Sequence, residues 1–356
     1  MKVVFILPGR GGGGGHHSVV QESLGLLRLG VEVSIAVNHD CFEDLSLIYP
    51  ELAGFGISTP LFTTPDDLEQ SIAGADLAVA TTAPSATMLA ECLERLKDRS
   101  AVRGGYYIQD YEPLLYTPGA PEWEQSRRSY SALADGLLFA KTEWMCGLVY
   151  ENHARVVERV KPSIDHGTYF PGPPRGDGPL VVGAMIRPRT PRRAPKRTAR
   201  ILGALSDLHA DRIELVSFGC SELELEASGL RLPTRVRHRG VLSRREVATT
   251  LRDCDLFLDL SDYQAFGRTG LEAMACGCVP LLPLFGGAAE YVRHWENGWL
   301  IDTRSDEAII ATVGDFVAAG ESVRRRMREA AIATALDYTI DKAAFSEYRA
   351  FSRFLG

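Results

Sequence analysis

The chain has 356 residues, of which 45% are hydrophobic and 24% are charged, a composition typical of a globular protein with room for two domains. Its net charge of -7 is unevenly distributed, because residues 1–170 hold 13 Lys and Arg against 22 Asp and Glu, whereas the remainder holds 26 against 24. An acidic first half argues against a nucleic-acid-binding protein, which needs a basic face. Seven cysteines without a CxxC pair predict reduced, buried thiols in a cytoplasmic protein.

Short apolar runs alternate with helical patterns through the first half of the chain. The segment 16–30 places Val20, Leu24 and Leu27 on one helical face before Gly30, which predicts a helix between two strands. This alternation is typical of a parallel sheet with helices on both faces. The predicted strands are VVFIL (3–7), VEVSIAV (31–37), DLAVAT (76–81), GYYIQ (105–109) and GLLFA (136–140).

A segment rich in Pro and Gly, FPGPPRGDGP (170–179), predicts a linker, after which the alternation restarts. The sequence therefore predicts two doubly wound α/β domains, 1–172 and 173–335, and a C-terminal helix in 336–356 whose aromatic stripe faces the core. That stripe consists of Phe345, Tyr348, Phe351 and Phe354. The later predicted strands are LVVGAMI (180–186), RIELVSFG (212–219), CDLFLDLS (254–261), VPLLPL (279–284) and WLID (299–302).

The most informative segment is DLSDYQAFGRTGLEAMACGCVPLLPLFGGAAE (259–290), in which a polar loop joins a buried strand to a helix beginning near Thr269. Such loops lie where parallel sheets bind ligands, and the amides of Arg268, Thr269 and Gly270 would point out of the helix toward an anion. Glu272, one turn into the helix, suits a diol such as ribose rather than a phosphate. A favourable charge at the helix N-terminus explains Glu272 equally well.

With its GG and NG pairs, FGRTGLEAMACGCVP…GGAAEYV…NGWLID resembles the signature of the retaining glycosyltransferases of family 4. The resemblance implies the GT-B fold, two Rossmann-like domains facing across a cleft, with the acceptor on the first domain and the donor on the second. It implies that the C-terminal helix packs back onto the first domain. QDYEP (109–113) is similar to a narrower branch that includes bacterial rhamnosyltransferases of surface-polysaccharide assembly.

The resemblance also implies donor-binding roles around the start of this helix. Glu272 would hold the ribose, and Gln264 stands where the family has a carboxylate that touches the sugar. This departure weakens an argument from charge stabilisation and suits a donor with a different hydroxyl pattern, such as a 6-deoxy sugar. The backbone of Ala265, Phe266 and Gly267 would contact the sugar, and that of Arg268 and Thr269 the diphosphate.

The basic segment RPRTPRRAPKRTAR (187–200) follows a predicted strand, where the family has an Arg and a Lys that bind phosphate. Arg187 matches the first of the pair, and either Arg192 or Arg193 the second, with Arg193 preferred. Two guanidinium groups neutralise the charge of a departing nucleoside diphosphate. Arg189, Arg197 and Arg200 are expected to be solvated.

Three further donor contacts are expected from the resemblance. Gly14 and Gly15 match a glycine pair near the donor diphosphate. Gly219 ends a strand that the ligand approaches, and main-chain atoms near Val241 would read the nucleobase. Glycines at strand ends are, however, usually only turns.

On the acceptor side, Asp110 occupies the position of a family histidine, and it is expected to orient or deprotonate the acceptor hydroxyl. An ordinary turn-capping role fits Asp110 as well. Tyr111, Glu112, His16 and His17 complete the predicted acceptor site. We expect no metal, because the two histidines have no third partner at metal-ligand spacing.

The sequence thus predicts a metal-independent, retaining glycosyltransferase without a cofactor, which uses a dTDP- or UDP-linked sugar and a glycan or lipid-linked glycan acceptor. It has no apolar stretch of the roughly 18 residues that cross a membrane, while peripheral contact at the inner face of the cell membrane and the oligomeric state stay open. A nicotinamide-dependent oxidoreductase fits less well, because the second predicted strand ends in Asn38 rather than an acid. A sugar-nucleotide epimerase of the same fold and an inactive nucleotide-sugar-binding partner remain alternatives.

Overall fold

A computed structural model describes residues 1–9, 11–173, 176 and 178–356. The chain forms two compact units, of which unit 1 comprises Met1–Ser163 with Tyr338–Gly356 and unit 2 comprises Ile164–Asp337. Pro174, Arg175 and Asp177 of the predicted linker lie outside the described residues.

Strands and helices alternate along the chain. The strands are β1 (Lys2–Leu7), β2 (Glu32–Asn38), β3 (Leu61–Phe62), β4 (Leu77–Ala80), β5 (Arg103–Ile108), β6 (Leu137–Ala140), β7 (Glu158–Arg159), β8 (Leu180–Met185), β9 (Ile213–Phe218), β10 (Val236–His238), β11 (Leu256–Leu258), β12 (Val279–Pro283) and β13 (Trp299–Ile301). The helices are α1 (Gly14–Arg28), α2 (Phe42–Ile48), α3 (Glu51–Gly54), α4 (Pro65–Ile72), α5 (Ala83–Leu96), α6 (Pro121–Ala132), α7 (Glu143–His153), α8 (Pro195–Leu208), α9 (Glu222–Ala227), α10 (Arg244–Arg252), α11 (Arg268–Ala275), α12 (Asp306–Ala318), α13 (Glu321–Ala335) and α14 (Ile340–Leu355).

Each unit is built on one parallel sheet, as predicted. The sheet of unit 1 has the strand order β3-β2-β1-β4-β5-β6-β7, and that of unit 2 the order β10-β9-β8-β11-β12-β13. In unit 1, Lys2 pairs with Glu32 and Val3 with Leu77, so β1 lies between β2 and β4. The strand order reverses beside β1 in unit 1 and beside β8 in unit 2, which creates one topological switch point in each sheet.

The boundary between the units differs from the one predicted at residue 172. The segment that follows Ile164 belongs to unit 2, because its backbone and rings are bonded there. Arg252 Nη1 donates to Thr168 O at 3.3 Å, its guanidinium covers the Phe170 ring, and Arg328 Nη2 donates to Gly172 O at 2.8 Å. These long-range contacts leave no signal in local composition.

Helix α14 belongs to unit 1, where it packs against α1. The contact buries two carboxyl groups, those of Glu22 and Glu347, both fully inaccessible. Lys141 Nζ lies 3.0 Å from Glu22 Oε1, and the Tyr107 hydroxyl donates to Glu22 Oε2 at 2.7 Å. Burial and the neighbouring Glu22 raise the pKa of Glu347 well above its usual range, so this carboxyl is protonated and its charge is not left unpaired.

The aromatic stripe predicted to face the core in the last helix is only partly buried. Phe351 is fully buried and forms an edge contact with Phe139, whereas Phe345 and Tyr348 are exposed. The buried positions of α14 include the small residues Ala343, Ala344 and Ala350. The helix therefore docks through small residues and one aromatic ring, a face shifted from the aromatic stripe.

Candidate active site

Most of the predicted donor residues lie at the switch point of the unit 2 sheet. Arg187 follows β8, and Asp259 follows β11, which is the neighbouring strand. The segments after these two strands meet, since Arg193 Nη1 lies 3.4 Å from Asp259 Oδ2. Ligands bind at this position in open parallel sheets.

Helix α11 begins without a capping side chain. Its N-cap is Gly267, which has a left-handed backbone with φ of 82°. Helices α4, α5, α9 and α10 instead begin with capping boxes, in which a Ser or Thr side chain accepts from a first-turn amide. The start of α11 is therefore held by other means, and its first amides are not satisfied by a side-chain cap.

A buried tyrosine holds this helix start. The Tyr291 hydroxyl donates to Gly267 O at 2.6 Å, and a Cβ atom at Gly267 would lie 2.7 Å from that hydroxyl. The Gly270 amide also donates to Gly267 O, at 3.0 Å. The expectation that Gly270 offers an outward-pointing amide is therefore wrong, because that amide closes the first turn of the helix.

Glu272 is buried one turn into α11, with 6% of its surface exposed. Burial raises the pKa of this carboxyl to about 7, although the nearby Arg268, Arg244 and the Tyr169 hydroxyl oppose the increase. Arg268 Nε lies 3.8 Å from Glu272 Oε1. The carboxyl is thus half ionised near neutral pH and becomes a better hydrogen-bond acceptor as the pH rises.

Gln264 is bonded on both sides. Its amide nitrogen Nε2 donates to Asp259 Oδ2 at 2.6 Å and to Ser261 Oγ at 3.0 Å. Its backbone carbonyl accepts from the Gly287 amide at 2.9 Å, and its backbone amide donates to Phe285 O at 3.2 Å. Position 264 therefore belongs to a rigid cluster that joins the end of β11 to the segment after β12.

Gly286 makes this cluster possible. It has φ of 115°, and a Cβ atom at this position would lie 1.9 Å from Gln264 O. The side chains next to Gly267 are also well packed: Ala265 is buried, and the Phe266 ring packs edge-on against Tyr291 at 5.4 Å. The loop expected to contact the sugar is thus a packed structure.

The basic segment is divided between bonded and exposed residues. Arg187 is exposed, Arg192 lies 5.1 Å from the Tyr263 ring, and Arg193 pairs with Asp259. Arg197 is not solvated as expected: it is 16% exposed and pairs with Asp262 at 2.9 Å. Three of these arginines therefore serve as ties within unit 2, since Arg189 pairs with Glu224 and Arg200 with Asp306 while remaining exposed.

Gly219 and Val241 lie at the ends of neighbouring strands. The Gly219 amide donates to Gly240 O at 2.8 Å, and a Cβ atom at Gly219 would lie 2.8 Å from Ile186 O. Val241 is 68% exposed. Close packing between strand ends thus explains Gly219, and its contact with a nucleotide stays a prediction.

In unit 1, the glycine run leads into α1, whose first turn contains Gly14 and Gly15. Gln109, which follows β5, packs over Gly15, where an added Cβ atom would lie 3.4 Å from Gln109 Cδ. The ring of His17 accepts or donates a hydrogen bond to the Tyr49 hydroxyl at 2.6 Å, and burial lowers the pKa of His16. The predicted acceptor histidines and the β5 end therefore meet at the switch point of unit 1.

The residues after Asp110 turn inward. Tyr111 is buried, with its hydroxyl 3.0 Å from His153 Nε2. Glu112 Oε1 accepts from the Ala83 amide at 2.7 Å, so it binds the start of α5, and burial raises the pKa of its carboxyl to about 7. Tyr111 and Glu112 thus hold the Asp110 turn, and contacts with an acceptor stay predicted.

Sequence reasoning missed several residues that build these sites. Tyr291 and Asp259 hold the Gly267 turn and Gln264, and Tyr169 lies beside Glu272. Buried Asn297 donates to Tyr291 O at 2.9 Å and to Thr334 Oγ1 at 2.8 Å, which ties the tyrosine segment to α13. The AEYV and NG letters were part of the motif, but their contacts were not readable from it.

Two searches of the described residues gave no candidates. Within the ranges given above, no three or more His, Cys, Asp or Glu side chains cluster in a way that could hold a metal ion. None of the helices in that part of the chain has the length and apolar character needed to span a membrane.

A protein-family model described as Glycosyl transferases group 1 matches residues 192–334. This range contains the basic segment from Arg192, the Asp259–Gln264 cluster, Gly267 and Glu272. Residues 192–334 form a glycosyl transferases group 1 domain. Arg187 and the unit 1 residues lie outside this group 1 domain.

Curated relatives share the group 1 domain and more of the chain. The O-antigen biosynthesis protein RfbC of Myxococcus xanthus is 28% identical over 259 residues, which cover 71% of this chain and 19% of the relative. The N-acetyl-alpha-D-glucosaminyl L-malate synthase of Bacillus anthracis is 30% identical over 129 residues, 36% of this chain and 33% of the relative. The matches thus span a third or less of these two relatives' own lengths.

Solved structures share the fold over nearly the whole chain. Anabaena HepE, solved in complex with UDP and glucose, superposes with a TM-score of 0.80 at 17% identity and covers 99% of this chain and 100% of its own. Sucrose-phosphate synthase from Thermosynechococcus elongatus gives a TM-score of 0.76 at 14% identity, covering 99% and 98%. The predicted GT-B class, with two doubly wound α/β units, is therefore confirmed.

Proposed function

We propose that the protein is a retaining glycosyltransferase that moves a sugar from a nucleoside diphosphate to a hydroxyl group of a glycan or lipid-linked glycan. The observation that carries this proposal is the start of α11 in the group 1 domain. It begins at Gly267 without a side-chain cap, has buried Glu272 one turn in, and adjoins the Arg193–Asp259 pair.

The donor is assigned to unit 2. The first amides of α11 suit a diphosphate, because an uncapped helix N-terminus offers donors and a partial positive charge. Glu272 suits the ribose, whose two hydroxyls donate to a carboxylate. The UDP and UDP-glucose named for HepE support a UDP- or dTDP-linked donor, and the name of RfbC supports a role in polysaccharide assembly, with rhamnose or another 6-deoxyhexose as the proposed sugar.

The proposed chemistry needs positive charge at the leaving group. Cleavage of the sugar–phosphate bond transfers an electron pair to the nucleoside diphosphate, and Arg187 and Arg193 stabilise the added charge there. A phosphate oxygen takes the proton of the attacking hydroxyl on the same face of the sugar, so the anomeric configuration is retained. Two guanidinium groups supply the charge that a metal ion would otherwise provide, which favours a metal-independent reaction.

The acceptor is assigned to unit 1. His16, His17 and Asp110 lie at the switch point of its sheet, and Tyr111 and Glu112 fix the Asp110 turn. Seven free cysteines, six of them buried, suit the cytoplasmic location that we propose, with peripheral contact at the inner face of the membrane.

A transfer assay tests the proposed function. The purified protein is incubated with UDP-, dTDP- and GDP-linked sugars and a set of glycan acceptors, and the anomeric configuration of the product is read by NMR. We expect a glycoside with the configuration of the donor. Free nucleoside diphosphate without a glycoside would favour an epimerase, and binding without turnover would favour an inactive partner.

A further inference from the structure

The Gln264 side chain uses both of its N–H groups inside the protein. One donates to Asp259 Oδ2 at 2.6 Å and the other to Ser261 Oγ at 3.0 Å. Ser261 in turn donates twice to the other carboxylate oxygen of Asp259, from its hydroxyl and from its backbone amide, the latter at 3.1 Å. Asp259 therefore anchors a closed network of donors and acceptors.

This network fixes which way the Gln264 amide points. A carboxylate oxygen only accepts, so the group that faces Asp259 must be the NH2 of Gln264. The Ser261 hydroxyl gives its proton to Asp259, so it also accepts from Gln264. The carbonyl oxygen Oε1 then faces away from both, and no donor among the residues that the structure describes is bonded to it.

The position of Gln264 is as fixed as its orientation. Its backbone is bonded to Phe285 and Gly287, and Gly286 touches its carbonyl so closely that no side chain fits there. Its Cβ lies 3.7 Å from the place where a Cβ of Gly267 would be, directly beside the start of α11. Oε1 is therefore a rigid, nearly buried acceptor next to the proposed diphosphate site.

We propose that Asp259 is a positioning residue that makes Gln264 a hydrogen-bond acceptor only, and that the donor sugar must present a hydroxyl group there. This inference rests on the proposed function and adds a substrate requirement to it. The carboxylate of Asp259 also pairs with Arg193 at 3.4 Å, so the same group orients the sugar contact and a phosphate contact.

The requirement separates three kinds of donor. A sugar with a hydroxyl at the carbon facing Oε1 donates to it, and this satisfies a buried acceptor. A monodeoxy sugar leaves the acceptor empty, and a monodeoxyfluoro sugar does no better, because fluorine cannot donate a hydrogen bond. We expect about a tenfold loss of affinity for both analogues at that one carbon.

The test measures the sugar's own contribution to binding. By calorimetry, UDP-glucose, dTDP-rhamnose and GDP-mannose, their monodeoxy and monodeoxyfluoro analogues, and the free diphosphates are titrated into wild type, Asp259→Asn and Asp262→Asn. Asp262 is the matched control, because its carboxylate pairs with Arg197. We expect Asp259→Asn to bind the free diphosphate within about twofold of wild type and to lose the roughly tenfold preference for the hydroxyl, while Asp262→Asn keeps it.

The results separate the two levels of the argument. If no diphosphate or nucleotide sugar binds wild type, the proposed function fails and the inference fails with it. If nucleotides bind but no single hydroxyl matters in wild type, or Asp259→Asn keeps the preference, the inference is overturned and the proposed function stands.

A charge exchange distinguishes positioning from mere stability. Gln264→Glu alone places two carboxylates in contact, and Asp259→Asn alone frees the amide to turn over. In the double variant Asp259→Asn with Gln264→Glu, the new amide donates to a carboxylate at 264, which is again an acceptor only. We expect the double variant to regain the hydroxyl preference that both single variants lose, with melting curves confirming folding. A folded double variant without the preference would contradict the proposal.

Discussion

The Tyr291 hydroxyl holds the start of α11, and its removal tests whether that turn must be held in place to bind the donor. In Tyr291→Phe the ring stays and its contact with Phe266 is kept. The variant loses only the 2.6 Å bond to Gly267 O. Because Gly267 O still accepts from the Gly270 amide, it is not left without a donor.

The expected loss is therefore that of one hydrogen bond, about 1 kcal/mol of unfolding free energy, rather than the larger cost of an unsatisfied buried carbonyl. For a domain of this size that corresponds to a decrease of about 2–4 °C in Tm. The affinity for UDP should decrease by more than the stability suggests, roughly three- to tenfold, because a looser turn must be ordered by the ligand.

Differential scanning calorimetry gives the stability, and titration calorimetry with UDP gives the affinity. Tyr348→Phe, at an exposed position in α14, is the matched control and should change neither. A Tyr291→Phe variant that melts and binds UDP like wild type would show that the hydroxyl does not hold the turn, and would refute the reasoning.

Three other variants test the site. Glu272 has a pKa of about 7, and its ionised form accepts the ribose hydroxyls, so UDP affinity should increase about tenfold from pH 6 to pH 8. Glu272→Gln should abolish this dependence, and an unchanged slope in titrations of that variant would assign it elsewhere. Arg193→Ala should lower kcat about 10²-fold, measured by steady-state kinetics, while the exposed Arg200→Ala should leave it unchanged. Gly286→Ala, which forces a Cβ atom to 1.9 Å from Gln264 O, should destabilise unit 2 by more than about 3 kcal/mol in thermal unfolding; a near-wild-type Tm would contradict the described turn.

The fold was predictable from the sequence where strands are long and buried. All ten predicted strands are present, because buried parallel strands form continuous apolar runs. The three short edge strands β3, β7 and β10 were missed, since two or three residues at a sheet edge form no pattern. Helix α1 was found, but not that its buried surface includes Glu22, because that burial depends on α14, more than 300 residues away in the chain.

The site was predictable where its residues are close in sequence. Gln264, Gly267 and Glu272 belong to one strand–loop–helix unit, so their grouping followed from local pattern. The contacts of Asp259 with Arg193 and of Tyr291 with Gly267 join segments that are distant in sequence and become neighbours only in the folded sheet. The same holds for the unit boundary at Ile164, which is set by contacts rather than by composition.

The central claim is that the start of α11 binds the diphosphate of a nucleotide sugar. A thermal-shift panel of UDP-, dTDP- and GDP-linked sugars tests it most directly, with Glu272→Ala beside the wild type. A ligand at 100 times its Kd adds about 2.7 kcal/mol to the unfolding free energy. We predict such a stabilisation by at least one nucleotide sugar in the wild type and a smaller one in Glu272→Ala. Absence of any shift in the wild type, or an equal shift in both proteins, would contradict the account.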